Sequence, residues 1–332
     1  MNNISAKTRF YSSGPVLESF HMVDIHLYDS SLFANCVIVE GSDFTTIVDS
    51  GTSNTVQNII NYIYFNNINL EHVLIIPTHH HFDHIGGIPS LIEYLEKKNS
   101  TINVITTNEM KPFLMDPSEY EKNAIKGFSK KFVGNLAPIS EDYIKIISEY
   151  EVINLGDYWS VQLIKTPGHC ETHVSPLFRD RRDCTICYLG EAFGINLTKE
   201  IFPIPASSAP NFNSEKYINS INKLLNLRPK IDVGIFSHFG GISGNNNIQQ
   251  TGENAINQYY RFKKAVIELH SKNPSTKLIT KEIFRKYKNK LATQTLNSNT
   301  NKELSKSLAF TNVYGILIDE GKKKRKMNNA YF

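Results

Sequence analysis

Residues 78–87 read THHHFDHIGG and put four of the chain's eleven histidines, His79, His80, His81 and His84, within six positions. Asp83 stands among them, and the apolar run Val73-Leu74-Ile75-Ile76 comes just before. In an extended segment residues i and i+2 share a face, so His79 and His81 converge on one point while His80 faces elsewhere. Asp83 and His84 follow where the chain turns toward a helix and can face a second point beside the first. Gly86 and Gly87 suit a tight backbone turn under such a site. Neutral imidazole and carboxylate are ligands for zinc, and also for iron or manganese. A solvated histidine loop would need neither the preceding strand nor the paired glycines, so the pattern reads as a metal site.

Around this cluster the chain reads as alternating short strands and helices. Apolar runs at 20–27, 33–39 and 44–48 predict strands. Helical spacing predicts a helix over 53–65, then a strand at 72–76, a helix near 88–98 and a strand at 102–106. Residues 108–149 are more helical and polar, punctuated by Pro112, Pro117 and Pro138. Strands are expected again at 150–154, 159–165, 172–178 and 184–189. A helix near 214–226 leads to a last strand at 231–236. Helices at 248–271, 277–291 and 302–318 follow. The expected organisation is an α/β body over residues 1–246 and a helical C-terminal extension with a basic tail over 247–332.

Three later stretches offer further ligands, each just after a predicted strand: Thr166-Pro167-Gly168-His169, Gly190-Glu191 and Ser237-His238-Phe239-Gly240-Gly241. Strand ends are where distant segments can bring side chains to one place. Any one of these histidines alone would read as structural.

Composition removes several classes of function. The chain has 332 residues, 40% hydrophobic and 20% charged, which is ordinary for a globular fold. Its net charge is +4, and residues 322–326 (KKKRK) carry five positive charges, so the rest sums to +4 − 5 = −1. A near-neutral body lacks the basic surface of a nucleic-acid binder, and the run itself reads as a solvated tail. The N-terminal stretch has no apolar segment long enough for a signal peptide, and no later segment approaches a membrane span. Four cysteines in a chain this long make no disulfide framework, so a cytoplasmic location is expected. Cys184 and Cys187 read as buried structural thiols.

The ordered series of ligands resembles the metallo-β-lactamase-fold superfamily, whose pattern is H-x-H-x-D-H, then His, then a carboxylate, then His. THHHFDHIGG is most similar to the hydroxyacylglutathione hydrolase (glyoxalase II) branch. Residues 45–51, TTIVDSG, resemble the family's strand ending in Asp-Thr-Gly, with Ser50 in place of threonine. The resemblance covers roughly residues 20–241 and implies an αββα sandwich with two divalent metal ions at one edge. It implies His79, His81 and His169 as ligands of a first ion and Asp83, His84 and His238 as ligands of a second. It places Asp49 behind a ligand, and gives His173 a structural or supporting role. Relatives carry aspartate, bridging both ions, where this chain has Glu191. Asp180 and Asp183 lie before the strand and look too far away to replace it. Glu191 can bridge, bind one ion or swing away.

Such a site implies a metal-activated water attacking a small carbonyl substrate, with Asp83 and Glu191 as the catalytic carboxylates. Zinc is the first expectation for the ions, with iron or manganese as alternatives. The SHFGG segment and the helices after it look more like thioesterase and lactonase members than glyoxalase II itself. The expected substrate is a thioester, or otherwise an ester or lactone. The competing readings are a mononuclear iron enzyme similar to persulfide dioxygenases, a phosphodiesterase, and a weakly active binding protein. The expected partner is a small-molecule acyl substrate; no nucleic acid and no membrane are expected, and a homodimer is the one assembly kept open. Segment 108–149 and helix 248–271 could overhang the site, although Tyr259, Tyr260 and Phe262 on the latter read as helix packing rather than an acyl pocket.

Overall fold

The computed structural model describes residues 9–10, 12–182, 184–196, 203–238, 240–291 and 298–323. Asp183, Phe239 and residues 324–326 of the basic run lie outside them.

In chain order the strands are β1 (Arg9–Phe10), β2 (Gly14–Leu17), β3 (Phe20–Asp24), β4 (Asn35–Glu40), β5 (Thr45–Val48), β6 (His72–Ile76), β7 (Thr101–Thr106), β8 (Ile144–Ile146), β9 (Val152–Asn154), β10 (Trp159–Lys165), β11 (Val174–Asp180), β12 (Thr185–Gly190), β13 (Val233–Phe236) and β14 (Gly241–Ser243). The helices are α1 (Val56–Phe65), α2 (Phe82–Ile85), α3 (Ile88–Glu96), α4 (Lys111–Met115), α5 (Ser118–Val133), α6 (Ser214–Leu225), α7 (Asn245–Lys272), α8 (Thr276–Leu291) and α9 (Ser298–Asp319).

Two seven-stranded sheets result. One runs β2-β3-β4-β5-β6-β7-β8 and the other β1-β14-β13-β12-β11-β10-β9. β5 through β8 pair in parallel, as do β12 and β13. The apolar run of β6 shows why the layers form. Val73 and Ile75 face the helix-side core with residues of α1 and α3, such as Ile59 and Leu91. Leu74 and Ile76 face inward, in a core with Trp159, Phe178 and Tyr188 of the opposite sheet. A strand covered on both faces must be apolar throughout, which is the run the sequence carries. On the far side α6, α7, α8 and α9 share a core with β12 and β13. The order of layers is α, β, β, α, as predicted.

The short strands β2, β8 and β14 escape the sequence pattern because three- and four-residue segments carry little periodicity. Gly86 and Gly87 do not serve a left-handed turn: Gly87 has φ −87° and sits where a Cβ would lie 2.3 Å from the Ser50 carbonyl oxygen. Close approach, not torsion, requires glycine there. Cys187 packs under the helices, while Cys184 is half-buried beside the inter-sheet core. Their odd spacing sends them to opposite faces of one strand, so they cannot share an ion. Tyr259 and Phe262 are buried in the helical core, in keeping with the packing reading. Among the described residues no helix is long and apolar enough to cross a membrane.

α9 reaches back to the segment after β12. Ala209 N–H donates to the Thr311 carbonyl at 3.2 Å, and Ser207 Oγ donates to the Asn312 carbonyl at 3.2 Å. Gly315 makes this approach possible, since a Cβ there would lie 1.8 Å from the Ser207 carbonyl oxygen. Gly315→Ala should therefore destabilise the protein by about 1–3 kcal/mol. Urea unfolding checks this; an unchanged midpoint would show that the contact yields at no cost.

Candidate metal centre

All seven predicted ligands stand at the C-terminal ends of strands. Asp49 follows β5, and the histidine cluster follows β6. His169 follows β10, Glu191 follows β12 and His238 follows β13. The edge of the sandwich thus collects side chains from both sheets, as crevices beyond carboxyl strand ends do in open parallel sheets. The chain bends after β6 through His79 and His80, His81 is extended with φ −69° and ψ 148°, and α2 starts at Phe82. This change of backbone separates the pair His79 and His81 from the pair Asp83 and His84.

His81 Nδ1 lies 3.0 Å from His79 Nε2 and 3.0 Å from His169 Nε2. Glu191 Oε2 lies 3.2 Å from His169 Nε2. Its other oxygen, Oε1, lies 3.1 Å from His238 Nε2 and 3.6 Å from His84 Nε2. Asp83 Oδ2 lies 3.7 Å from His84 Nε2 and 3.8 Å from His238 Nε2. The result is two adjoining groups, with one Glu191 oxygen turned toward each.

A chain of hydrogen bonds behind the site fixes which nitrogens face it. His84 Nδ1 donates to Asp49 Oδ2 at 2.7 Å. The Thr78 amide and hydroxyl also donate to Asp49, at 2.8 and 2.9 Å. With its own proton given to Asp49, Thr78 Oγ1 accepts from His79 Nδ1 at 3.1 Å. His169 Nδ1 donates to the Ala206 carbonyl at 2.7 Å. His79 and His169 therefore turn an Nε2 lone pair inward, and His84 turns its Nε2 the same way. Asp49 itself is held at φ +62°, a strained conformation that persists only where surrounding contacts impose it.

His173 stays behind the centre. Its Nε2 accepts the Glu191 amide at 3.0 Å and its Nδ1 donates to Thr166 Oγ1 at 2.8 Å, so it holds the backbone that carries the carboxylate. His80 turns away, as the alternation requires: it contacts Thr172 Oγ1 at 2.8 Å and stacks on Phe113 at 4.0 Å. Asp180 is engaged by Arg182 at the far end of β11.

The donor set fits a divalent cation. The lone pairs of His79 and His169 both face His81 Nδ1, which has at most one proton to offer. The Nε2 of His84 and Oε2 of Glu191 are sealed from solvent without a hydrogen bond. The nitrogen separations are close to the edge of a zinc tetrahedron, about 3.3 Å for bonds of about 2.0 Å. A cation between these atoms would satisfy all of them. Three buried groupings of such side chains meet here: His79, His81, His169 and Cys170; His79, His84 and Glu191; and Asp83, His84 and His238.

Charge follows the same plan. Burial and the facing imidazoles hold His79 and His81 well below the ordinary histidine range, hence neutral. Burial works against charging His84, yet Asp49 and Asp83 outweigh it and hold its pKa well above that range. Burial would raise Glu191, but the His169, His238 and His84 imidazoles keep its carboxyl well below the usual range.

A cavity of about 420 Å³ opens onto the centre. α4 and α5, from the polar segment 108–149, supply one wall, with Phe113, Tyr120 and Phe128; α9 supplies another, with Leu304, Leu308 and Tyr314. Tyr120 lies parallel to His81 at 6.0 Å and its hydroxyl accepts the Phe82 amide at 3.1 Å. Tyr28 also lines the cavity, and burial together with the Asp83 and Glu191 charges keeps its phenol protonated as a donor. None of Tyr28, Tyr120, Cys170 or the α9 residues had a signal in the sequence. Each joins the site only through contacts between distant segments.

The chain belongs to the metallo-β-lactamase superfamily, whose family model matches residues 31–234; members are typically hydrolases. A curated relative, the metallo-β-lactamase fold-containing protein ST1585 of Sulfurisphaera tokodaii, is 26% identical over 218 residues, covering 63% of this chain and 74% of its own. The crystal structure of ST1585 from Sulfolobus tokodaii superposes with a TM-score of 0.62 at 19% identity, covering 90% of this chain and 98% of the other. The family protein TTHA1429 of Thermus thermophilus gives a TM-score of 0.62 at 15% identity, covering 92% and 95%. A B3 metallo-β-lactamase with an active-site glutamic acid gives 0.52 at 14%, covering 77% and 90%.

Two outcomes are expected. Asp49→Asn exchanges an acceptor for a group that can turn a donor toward His84, so metal affinity should fall about 10–100-fold with the fold retained. Competition with a chromogenic chelator measures it, and unchanged affinity would remove Asp49 from this role. In the metal-free protein His84 keeps a proton on Nε2 to higher pH than an ordinary imidazole, and a cation must displace it. Affinity should therefore rise with pH across the neutral range, with about one proton released from His84 per chain. Calorimetry in buffers of different ionisation enthalpy reads the proton count directly.

Proposed function

We propose that this chain is a metallohydrolase of a small carbonyl substrate, first a thioester and otherwise an ester or lactone, akin to the thioesterase and lactonase members of the superfamily. His79, His81 and His169 would hold one divalent ion, and Asp83, His84 and His238 a second, with zinc the first expectation for both. The observation that carries this reading is Glu191, whose two oxygens turn one to each group. The glutamate reaches across with its longer arm where relatives use aspartate.

Divalent ions bound there supply a nucleophile from water near neutral pH and polarise a carbonyl oxygen. The residues of the chain do the rest. Asp49, Thr78 and the Ala206 carbonyl aim the imidazoles, and His173 fixes the Glu191 backbone. Asp83 lines the cavity floor, where its carboxylate can orient the attacking water. Tyr28 offers a neutral donor on the same floor.

The mononuclear iron reading leaves His84 and His238 without a task, although both stand within 4 Å of Asp83 and Glu191 oxygens. The expected metal content after reconstitution is about two ions per chain. Chelation should abolish turnover of a thioester, ester and lactone panel, and zinc, manganese or iron should restore it. Glu191→Gln should lower turnover by roughly 100-fold or more. Elemental analysis beside the substrate panel checks all three. One iron per chain, with oxygen consumed on a persulfide, would overturn the reading.

A further inference from the structure

We infer that the part of the substrate that fills the cavity carries no negative charge, and that the acyl compound taken here is neutral or cationic with an apolar arm. This rests on the hydrolase reading and narrows its substrate class.

The cavity wall carries the inference. Phe33, Phe113, Tyr120, Phe128, Leu308 and Tyr314 give it an apolar and aromatic surface. Among the described residues no lysine or arginine lines it. Lys111 pairs with Glu141 and Lys130 with Glu121, while Lys122 and Lys126, on the helix that lines the wall, are not among the described lining residues, although the Lys122 charge reaches Asp116. Outside the residues of the centre, the lining carboxylates are Asp116 and Glu119, and neither forms an ion pair among the described residues. Asp116 accepts the Ser118 amide at 3.1 Å.

An anion entering this wall would lose water, would meet no cation among the described lining residues, and would pass two carboxylates of its own sign. A metal ion attracts an anion only at the floor; the wall decides what is attached to the reacting carbonyl. Phosphate diesters and thioesters of carboxylate-bearing thiols fit poorly. Esters, thioesters or lactones with an alkyl or aryl arm, uncharged or ending in an ammonium, fit the surface.

The test is binding to the metal-reconstituted protein by calorimetry. Three matched aryl-acyl amides, which resist hydrolysis, differ only in a distal methyl, carboxylate or trimethylammonium group. The neutral and cationic amides should bind at least about tenfold more tightly than the carboxylate. Asp116→Asn with Glu119→Gln should narrow that gap, since asparagine keeps the turn to Ser118 and only the charges are lost. Equal or tighter binding of the carboxylate overturns the inference, and so does absence of binding by all three. Binding is read without turnover, so a hydrolase panel that fails while this order holds would sink the hydrolase reading alone.

Discussion

A carboxylate that is 3% exposed, enclosed by His84, His169 and His238, is the condition around which the molecule is arranged. Such a group must be balanced, because an unpaired buried charge is strongly unfavourable. The imidazoles of His79, His81 and His169 are themselves crowded nitrogen to nitrogen, and the outer nitrogens of His79, His84 and His169 are already committed. Only positive charge in the middle resolves both problems. The strained backbone of Asp49 and the packed edge of the sandwich follow from keeping these groups together.

The site divides into a floor and a wall with different origins. The floor comes from strand ends, which are rigid and set by pairing across both sheets. The wall comes from α4, α5 and α9, and these helices join the sandwich through side-chain packing. The two are linked at one place. α9 hydrogen-bonds the segment around Ser207 and Ala209, and Ala206 of that segment orients His169. The C-terminal helix therefore supports a candidate ligand that precedes it by about 140 residues, as well as shaping the cavity.

Much of the floor could be read from the chain. β6 is apolar on both faces because both are covered, and the i, i+2 rule separates His80 from its neighbours. Strand-end positions marked His169, Glu191 and His238. The wall was legible only in part: segment 108–149 was expected to overhang the site and does, through α4 and α5, whereas no residue of helix 248–271 is among the described lining residues. Tyr28 precedes the cluster by about fifty residues and α9 follows it by more than two hundred, and no local period announces such an encounter. Helix 302–318 was expected, but its role in the cavity depends on where α5 stops beside it. The reach of Glu191 was equally hidden, because residue type gives arm length and not direction.

Asp83, His79, His81 and His84 ride on one sheet, while His169, Glu191 and His238 ride on the other. An ion held by these residues would act as a clasp across the open end of the sandwich, closing a chain loop that runs from His79 to His238. Closing so long a loop removes freedom mostly from the unfolded chain. Loss of such an ion would loosen the joint between sheets, so the proposed centre would also keep the two halves of the molecule in register.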